Sequence, residues 1–106
     1  MIYLKVLRLA VRKEYFEQIK AGIKKEEYRE IKDYWIKRLS KHYDQVLITL
    51  GYPKKTEKEK VLKFKYDGFY IKKINHKEFG ASNVEVYAIK LGGRIWDKKK
   101  VKFNLE

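Results

Sequence analysis

A lysine, a glutamate and an arginine follow one another at spacings of three and two residues in the segment AGIKKEEYRE, as Lys24, Glu27 and Arg29. A carboxylate between two cations stays ionised, because opposite charge favours its charged form. Such a glutamate is suited to orient the arginine, to accept a hydrogen bond from a base amino group, or to act as a base. A lysine beside other cations loses its proton more readily, which suits it to act as a base or a nucleophile.

The same three residues also have a purely structural interpretation. Glu27 and Arg29 share a face of an extended strand, so they would form an ion pair at the corner between a helix and that strand. Lys24 would be one of many solvated lysines. In a straight strand Lys24 points to the opposite face, unless the chain is still turning out of the helix at that position. On the residues alone both interpretations stay open.

The segment before these residues predicts a short helix over residues 13–22. Phe16, Ile19 and Ile23 recur at three and four residues and form one apolar stripe. Gly22 stands where a helix commonly ends in a glycine with left-handed backbone conformation. We therefore expect Gly22 to be a backbone device that turns the chain toward Lys24.

The segment from Lys25 onward predicts a strand or an extended loop over residues 25–31, which includes Glu27 and Arg29, and a second helix over residues 34–40. Asp33 is the expected N-cap of that helix, because its carboxylate can accept from the first free N–H groups. The buried side of the helix is expected to consist of three apolar residues: Trp35, Ile36 and Leu39.

The remainder of the chain predicts strands. Leu62, Phe64 and Tyr66 alternate with lysines, and the Asp-Gly pair at 67–68 predicts a two-residue hairpin turn. A loop containing His76 and Glu78 is expected over residues 75–83, and Gly92 with Gly93 predicts a turn. The other predicted strands are 3–11, 44–50, 84–91 and 94–103. Short strands with two short helices near the N-terminus predict one α+β domain over residues 1–106, a small barrel or curled sheet.

The charge balance points to an anionic partner. The chain has 27 lysines and arginines against 14 acidic residues, a net charge of +13. Such an excess attracts nucleic acid or an acidic membrane, although solubility alone is the simpler explanation. The chain has no cysteine, two isolated histidines and no apolar run long enough to span a bilayer. We therefore expect a cytoplasmic protein without a metal site or a cofactor.

Aromatic residues near cations extend the candidate site. Tyr34 or Trp35 could stack on a base while Arg38 holds a phosphate, and the alternative is that Trp35 anchors the second helix in the core. Gly51 follows a predicted buried strand and either allows close approach of a ligand or forms a plain turn. Tyr52 would then stack on a base or cover the barrel end.

The sequence Gly22-x-Lys24-x-x-Glu27-x-Arg29 resembles the G-x-K-x-x-E-x-R motif of ASCH domains. The preceding helix stands in the expected order, and the segment EYREIKDYWIKRL with Gly51-Tyr52 is similar to a phage-associated branch of that family. The resemblance extends over most of residues 4–91. It implies a PUA-like β-barrel with a cleft between the first helix and the barrel, lined by the motif residues.

Resemblance to this family implies a role with RNA or nucleotides. The first hypothesis is therefore RNA or nucleotide binding by Lys24, Glu27, Arg29 and the residues near them. The second is a small hydrolase acting on RNA or a modified pyrimidine nucleoside, with Lys24 as base or nucleophile and Glu27 as proton acceptor. The amidohydrolase-like members carry threonine at the place of Glu27, so the chain departs from them there. The third is an accessory phage protein that binds another protein.

Overall fold

The structure is a computed structural model that describes residues 3–75 and 83–96. The strands are β1 (Val6–Val11), β2 (Glu26–Glu30), β3 (Gln45–Leu50), β4 (Val61–Ile74) and β5 (Val84–Ile95). The helices are α1 (Lys13–Lys20) and α2 (Asp33–Leu39), and one turn of 3₁₀ helix precedes β4 at Lys58–Lys60. His76, Glu78 and the predicted strand beyond residue 96 lie outside the described residues.

All five strands belong to one mixed sheet in the order β1-β3-β4-β5-β2. β1 and β3 are parallel, and the long connection that parallel strands require contains α1, β2 and α2. The other neighbouring strands are antiparallel. The predicted α+β class and the two short helices near the N-terminus are confirmed. In the described ranges the sheet is not closed into a barrel, because β1 and β2 are both edge strands without a ladder between them.

Alternating residues of the strands build the core. Leu7 and Leu9 of β1 face Val46 and Ile48 of β3, and all four are fully buried. Leu62 and Phe64 of β4, Phe16 and Ile19 of α1, and Leu39 of α2 complete the same cluster. The period-two burial of Leu62 and Phe64 confirms the alternation predicted for the first part of β4 and places Lys63 and Lys65 on the outer face.

The helix predictions were right in place and wrong in detail. α1 ends at Lys20, and Ile23 lies beyond its end with 78% of its surface exposed, so it is not part of the apolar stripe. The N-cap of α2 is Lys32 in extended conformation, and Asp33 is the first helical residue. Asp33 still lies where the helix dipole favours a negative charge. Ile36 is exposed, so Leu39 carries most of the burial of α2.

Two predicted turns are bulges within long strands. β4 runs through Asp67-Gly68 and pairs with β5 on both sides of it, and the register shift between Tyr66 and Phe69 places one extra residue on β4. Gly68 has φ +87°, as the glycine of such a bulge requires. Gly92 and Gly93 likewise lie inside β5. A second register shift, between Phe64 and Tyr66, places one extra residue on β5 at this point. A Cβ on Gly92 would lie 3.0 Å from the carbonyl oxygen of Lys65, so only glycine fits there without movement.

Neither described helix has the length and apolar character that crossing a lipid bilayer requires.

Candidate functional site

Gly22 turns the chain from α1 into β2 through a Schellman motif. With Ala21 as C-cap, the amide of Ile23 donates to the carbonyl of Gln18 at 2.9 Å and the amide of Gly22 donates to that of Ile19 at 3.1 Å. Gly22 has φ +80°, a conformation that costs other residues energy. The amide of Lys24 also donates to Gln18, so the chain is still turning when it reaches Lys24.

The side chains of Lys24, Glu27 and Arg29 meet at the start of β2, and we call them the motif cluster. The amine of Lys24 lies 3.3 Å from Oε1 of Glu27, and Arg29 donates from its NH1 group to Oε2 of the same carboxylate. Glu27 is only 6% exposed. The single carboxylate therefore lies between two cations, and it is shielded from water on the side where the helices cover the sheet.

Lys24 reaches around the free edge of β2. Its amine donates to the carbonyl of Glu26 and lies 4.1 Å from the ring centroid of Tyr28, whose side chain is on the opposite face from Glu27. A residue that touches both faces is possible here because, among the strands of residues 3–75 and 83–96, β2 lies at the edge of the sheet. The amine of Lys24 thus provides a hydrogen-bond donor for the main-chain carbonyl of Glu26 on this edge strand.

Arg29 bridges the two edges of the sheet. One guanidinium nitrogen donates to the carbonyl of Tyr28 on β2 at 2.9 Å, and the other donates to the carbonyl of Ala10 on β1 at 2.9 Å. We call the gap between these strands the β1/β2 seam. A side chain therefore makes the connection at this seam that a strand ladder would make in a closed barrel.

The pKa of the Lys24 amine reflects both its burial and its ion pair with Glu27. Burial lowers the pKa of Lys24, and the attraction of Glu27 offsets only part of that effect. The sequence predicted this direction from neighbouring cations, but Arg29 is a minor contributor. A hollow of about 470 Å³ lies beside the amine and is lined by Tyr15, Tyr28 and other residues of this corner. Glu27 and Arg29 do not line it.

The aromatic residues of α2 lie against two arginines. The guanidinium carbons of Arg29 and Arg38 are 5.1 and 5.3 Å from the ring centroid of Trp35, and that of Arg38 is 5.5 Å from Tyr34. Tyr34 packs edge-on against Trp35 and is 56% exposed. We call these four residues the Trp35 cluster. Trp35 is half-buried and packs on the core, so it also serves as the anchor of α2.

Arg38 of α2 also contacts the edge of β1. One of its nitrogens makes a long contact of 3.5 Å with the carbonyl of Arg8, two residues before the Ala10 carbonyl that Arg29 contacts. Within residues 3–75 and 83–96, the buried Nε of Arg38 has no hydrogen-bond partner. Two arginines therefore cover alternate carbonyls of the same edge strand and enclose the surface on which Trp35 lies.

Gly51 and Tyr52 follow β3, and Gly51 lies next to Val11, the last residue of β1 and the neighbour of Ala10 at the β1/β2 seam. The amide of Gly51 donates to the carbonyl of Val11 at 3.2 Å, and its φ of +61° makes the turn after β3. A Cβ on Gly51 would meet no atom within 4 Å, so the glycine is required by backbone conformation and not by close approach. Tyr52 is 92% exposed and covers no part of the core, contrary to the option that it closes a barrel end.

A polar network on the outer face of β2 joins residues that are far apart in the sequence, so periodicity alone did not predict it. The carboxylate of Glu26 accepts hydrogen bonds from Tyr70, from Lys72 at 3.0 Å and from Tyr28 at 3.1 Å. Burial opposes ionisation of Glu26, but the bonds from Tyr70 and Lys72 outweigh it and lower the pKa of this carboxyl. The only sequence signal is that Glu26 and Tyr28 alternate on one face of a strand, since their partners are distant in sequence.

In the part of the chain that the structure describes, no three metal-ligating side chains come together. Compared with protein-family models, curated proteins and solved structures, the chain matches none. The resemblance to ASCH domains therefore stays a prediction, carried by the residues of the motif and the order of the elements around them.

Proposed function

We propose that this chain binds RNA or a nucleotide on the surface of the Trp35 cluster, next to the motif cluster. The observation that carries the proposal is the placement of the Arg38 guanidinium within 5.5 Å of both Trp35 and the half-exposed Tyr34. Aromatic rings stack on unpaired bases, and guanidinium groups bind phosphate with two parallel hydrogen bonds. One surface thus offers both kinds of contact.

The charge of the molecule supports the same proposal. The motif cluster holds two cations against one carboxylate, and the whole chain carries +13. Because Glu27 engages both Lys24 and Arg29, its role in this proposal is to fix their positions, while Arg38 and Tyr34 supply the contacts to the ligand. Arg29 contributes by supporting the ring of Trp35.

The assignment to the PUA-like fold and to the ASCH family is part of this proposal. It is supported by the order of elements around the motif, with Gly22 ending a helix and Glu27 with Arg29 on the strand that follows. The contact between Arg29 and Ala10 supports it further, because it draws together the two strands whose pairing would close a barrel. An experimental structure with β1 and β2 far apart would contradict this assignment.

A binding screen at two salt concentrations tests the function. Fluorescence anisotropy with labelled RNA, single-stranded DNA and a nucleotide should show affinity for RNA that falls with salt. Tyr34→Ala should weaken RNA binding roughly fivefold or more, as loss of one stacked base does. Tyr3→Ala, at another exposed tyrosine that lies outside the Trp35 cluster, is the control and should not. Equal losses in both variants would argue against the Trp35 cluster, and no binding to any of the three probes at low salt would support the accessory-protein alternative.

A small hydrolase is the second candidate, favoured by the lowered pKa of Lys24 beside a hollow. A neutral amine is a better base and nucleophile than an ammonium ion. Incubation with RNA and modified pyrimidine nucleosides, followed by product analysis, tests this candidate. Product that forms with the native chain and with Lys20→Met, but not with Lys24→Met, would establish it. Glu27 does not line the hollow, so Lys24 is the motif residue placed to meet a substrate there.

A further inference from the structure

A second basic surface lies on the outer face of the sheet. The strand register aligns one residue from each of four neighbouring strands in a row: Arg8, Leu47, Lys63 and Ile95. The connection between β3 and β4 borders this row on one side, and the end of β5 borders it on the other. Together they enclose a trough of about 560 Å³, which we call the basic trough. Ligand pockets commonly have volumes of about 300–1,000 Å³.

The described part of the lining of the basic trough is strongly positive. Six of its lining residues are positively charged: Arg8, Lys54, Lys55, Lys58, Lys63 and Arg94. Among the described residues that line it, none is acidic. Glu57, in the same connection, is already engaged, because it accepts from the amide of Lys54 at 2.8 Å and from the amine of Lys60 at 2.6 Å. The positive potential of the trough is therefore available to an anion from outside.

An arginine and a tryptophan stack at one end of the trough. The guanidinium carbon of Arg94 lies 3.8 Å from the ring centroid of Trp96, and Trp96 is 68% exposed. Over residues 3–75 and 83–96, the buried Nε of Arg94 has no hydrogen-bond partner. Burial removes part of the water around the Arg94 guanidinium and thereby lowers its pKa. Among the described residues, no acceptor replaces that water at Nε. An anion in the trough would supply that acceptor.

We propose that the basic trough binds the phosphate backbone of a single-stranded nucleic acid, with one base stacked on Trp96. Lysines attract phosphates without reading sequence, and an exposed indole ring stacks on bases that are not held in a duplex. The exposed ring favours a nucleic acid over an acidic protein, which would need only the charges. The proposal concerns a different set of residues from the Trp35 cluster and does not rest on the function proposed for that cluster.

The charge contribution is tested with the triple variant Lys54→Gln, Lys55→Gln, Lys58→Gln, in which all three residues are exposed. Anisotropy with a labelled oligouridine over a range of salt should show a slope of log affinity against log salt that is smaller by about 2, since each phosphate contact on a single strand contributes about 0.7. Affinity at moderate salt should fall roughly tenfold to hundredfold.

The matched control is Lys13→Gln, Lys20→Gln, Lys41→Gln, which removes the same charge from exposed positions outside the trough. It should leave the slope nearly unchanged. Equal losses in the two triple variants would overturn the proposal, because the overall charge would then explain binding. Equal affinity of the native chain for polyglutamate would also overturn it.

The base contact is tested separately at Trp96. Trp96→Ala should weaken oligouridine binding roughly fivefold to hundredfold, and Trp96→Phe should retain most of the affinity. Tryptophan fluorescence of the native chain should be quenched on binding, and the quenching should be largely lost in Trp96→Phe. Unchanged affinity in Trp96→Ala, or equal affinity for a duplex of the same length, would overturn the stacked-base arrangement. Tyr34→Ala serves as the reference that separates this surface from the Trp35 cluster.

Discussion

The guanidinium of Arg29 on β2 donates a hydrogen bond of 2.9 Å to the carbonyl of Ala10 on β1, so one side chain joins the two edge strands of the sheet. The same guanidinium contacts Glu27, the carbonyl of Tyr28 and the ring of Trp35. Arginine suits this position because its planar fork has five donors, whereas lysine has three on one flexible amine. The residue is thus a structural connection as well as a member of the candidate site.

Replacement of Arg29 by lysine should therefore destabilise the fold although the charge is kept. We expect the free energy of unfolding to fall by about 1–3 kcal/mol, because carbonyls at the β1/β2 seam lose their donor. Urea denaturation followed by circular dichroism measures this. Arg8→Lys, at an exposed arginine, should change stability by less than about 0.5 kcal/mol. Equal effects of the two substitutions would show that Arg29 does not join the strands.

The buried carboxylate of Glu27 holds the motif cluster together by neutralising two partly buried cations. Glu27→Gln keeps the shape of the side chain but leaves Lys24 and Arg29 without a counter-charge, so we expect a loss of about 3 kcal/mol in the free energy of unfolding. Glu30→Gln is the control, since its ion pair with Lys32 is exposed and should contribute less than about 1 kcal/mol. A loss at Glu27 no greater than that at Glu30 would contradict the buried ion pair.

The network around Glu26 should make stability depend on acid. Its pKa in the folded chain is below the ordinary value of 4.5, so the stabilisation is complete above about pH 4.5 and is lost as the pH falls through the folded-state pKa. Glu26→Gln should lower the free energy of unfolding by about 1 kcal/mol at neutral pH, a modest amount because the carboxyl is partly exposed. The difference from the native chain should shrink below pH 4.5, and a constant difference would contradict this assignment.

Gly22 should tolerate no side chain without cost. Its φ of +80° is the reason, since a Cβ there meets no other atom within 4 Å. Gly22→Ala should destabilise the fold by about 1–2 kcal/mol, the cost of a left-handed conformation for a residue with a Cβ. Gly93→Ala is the control, because that glycine has neither a positive φ nor a close neighbour and should be near neutral. Thermal or urea denaturation of both variants compares them directly.

The bulge at Gly68 predicts a particular set of cross-strand contacts. In β4 and β5, Tyr66 lies opposite Leu91 and Phe69 lies opposite Ile89. A hairpin at 67–68 would instead place Tyr66 opposite Phe69. Cross-strand nuclear Overhauser effects in a labelled sample distinguish these arrangements, and we expect the contacts of Tyr66 to be with Leu91. Main-chain contacts between Tyr66 and Phe69 across a two-residue turn would show that the strand is broken there.

The sequence predicted those parts of the fold that depend on local periodicity. Leu7, Leu9 and the alternating residues of β4 signal their faces directly, and Gly22 signals the end of a helix through its own conformational freedom. Local periodicity could not decide between a hairpin turn and a bulge at Asp67-Gly68. A glycine with positive φ after an aspartate fits a hairpin turn and a bulge equally well, and the choice depends on where β5 pairs.

The candidate site was predictable only to the extent that it lies on one short segment. The spacing of Glu27 and Arg29 places both on one face of a strand, and the structure brings them together with Lys24. The Ala10 carbonyl could not be found, because every residue carries a carbonyl and none is marked by residue type. The sequence did not predict a site at Arg94 and Trp96, because the residues that line the trough with them come from distant strands.

The pairing of β2 with β5 has a consequence for the order of assembly. β2 ends at Glu30, and the described strand that pairs with it, β5, begins at Val84. While the polypeptide is being synthesised from its N-terminus, Glu27 and Arg29 therefore emerge long before the strand that holds them in place. Contacts so distant along the chain form slowly because a long loop must close first. The corner around Lys24 is thus among the last parts of the molecule to take shape, and a nascent chain acquires it only once translation has passed β5.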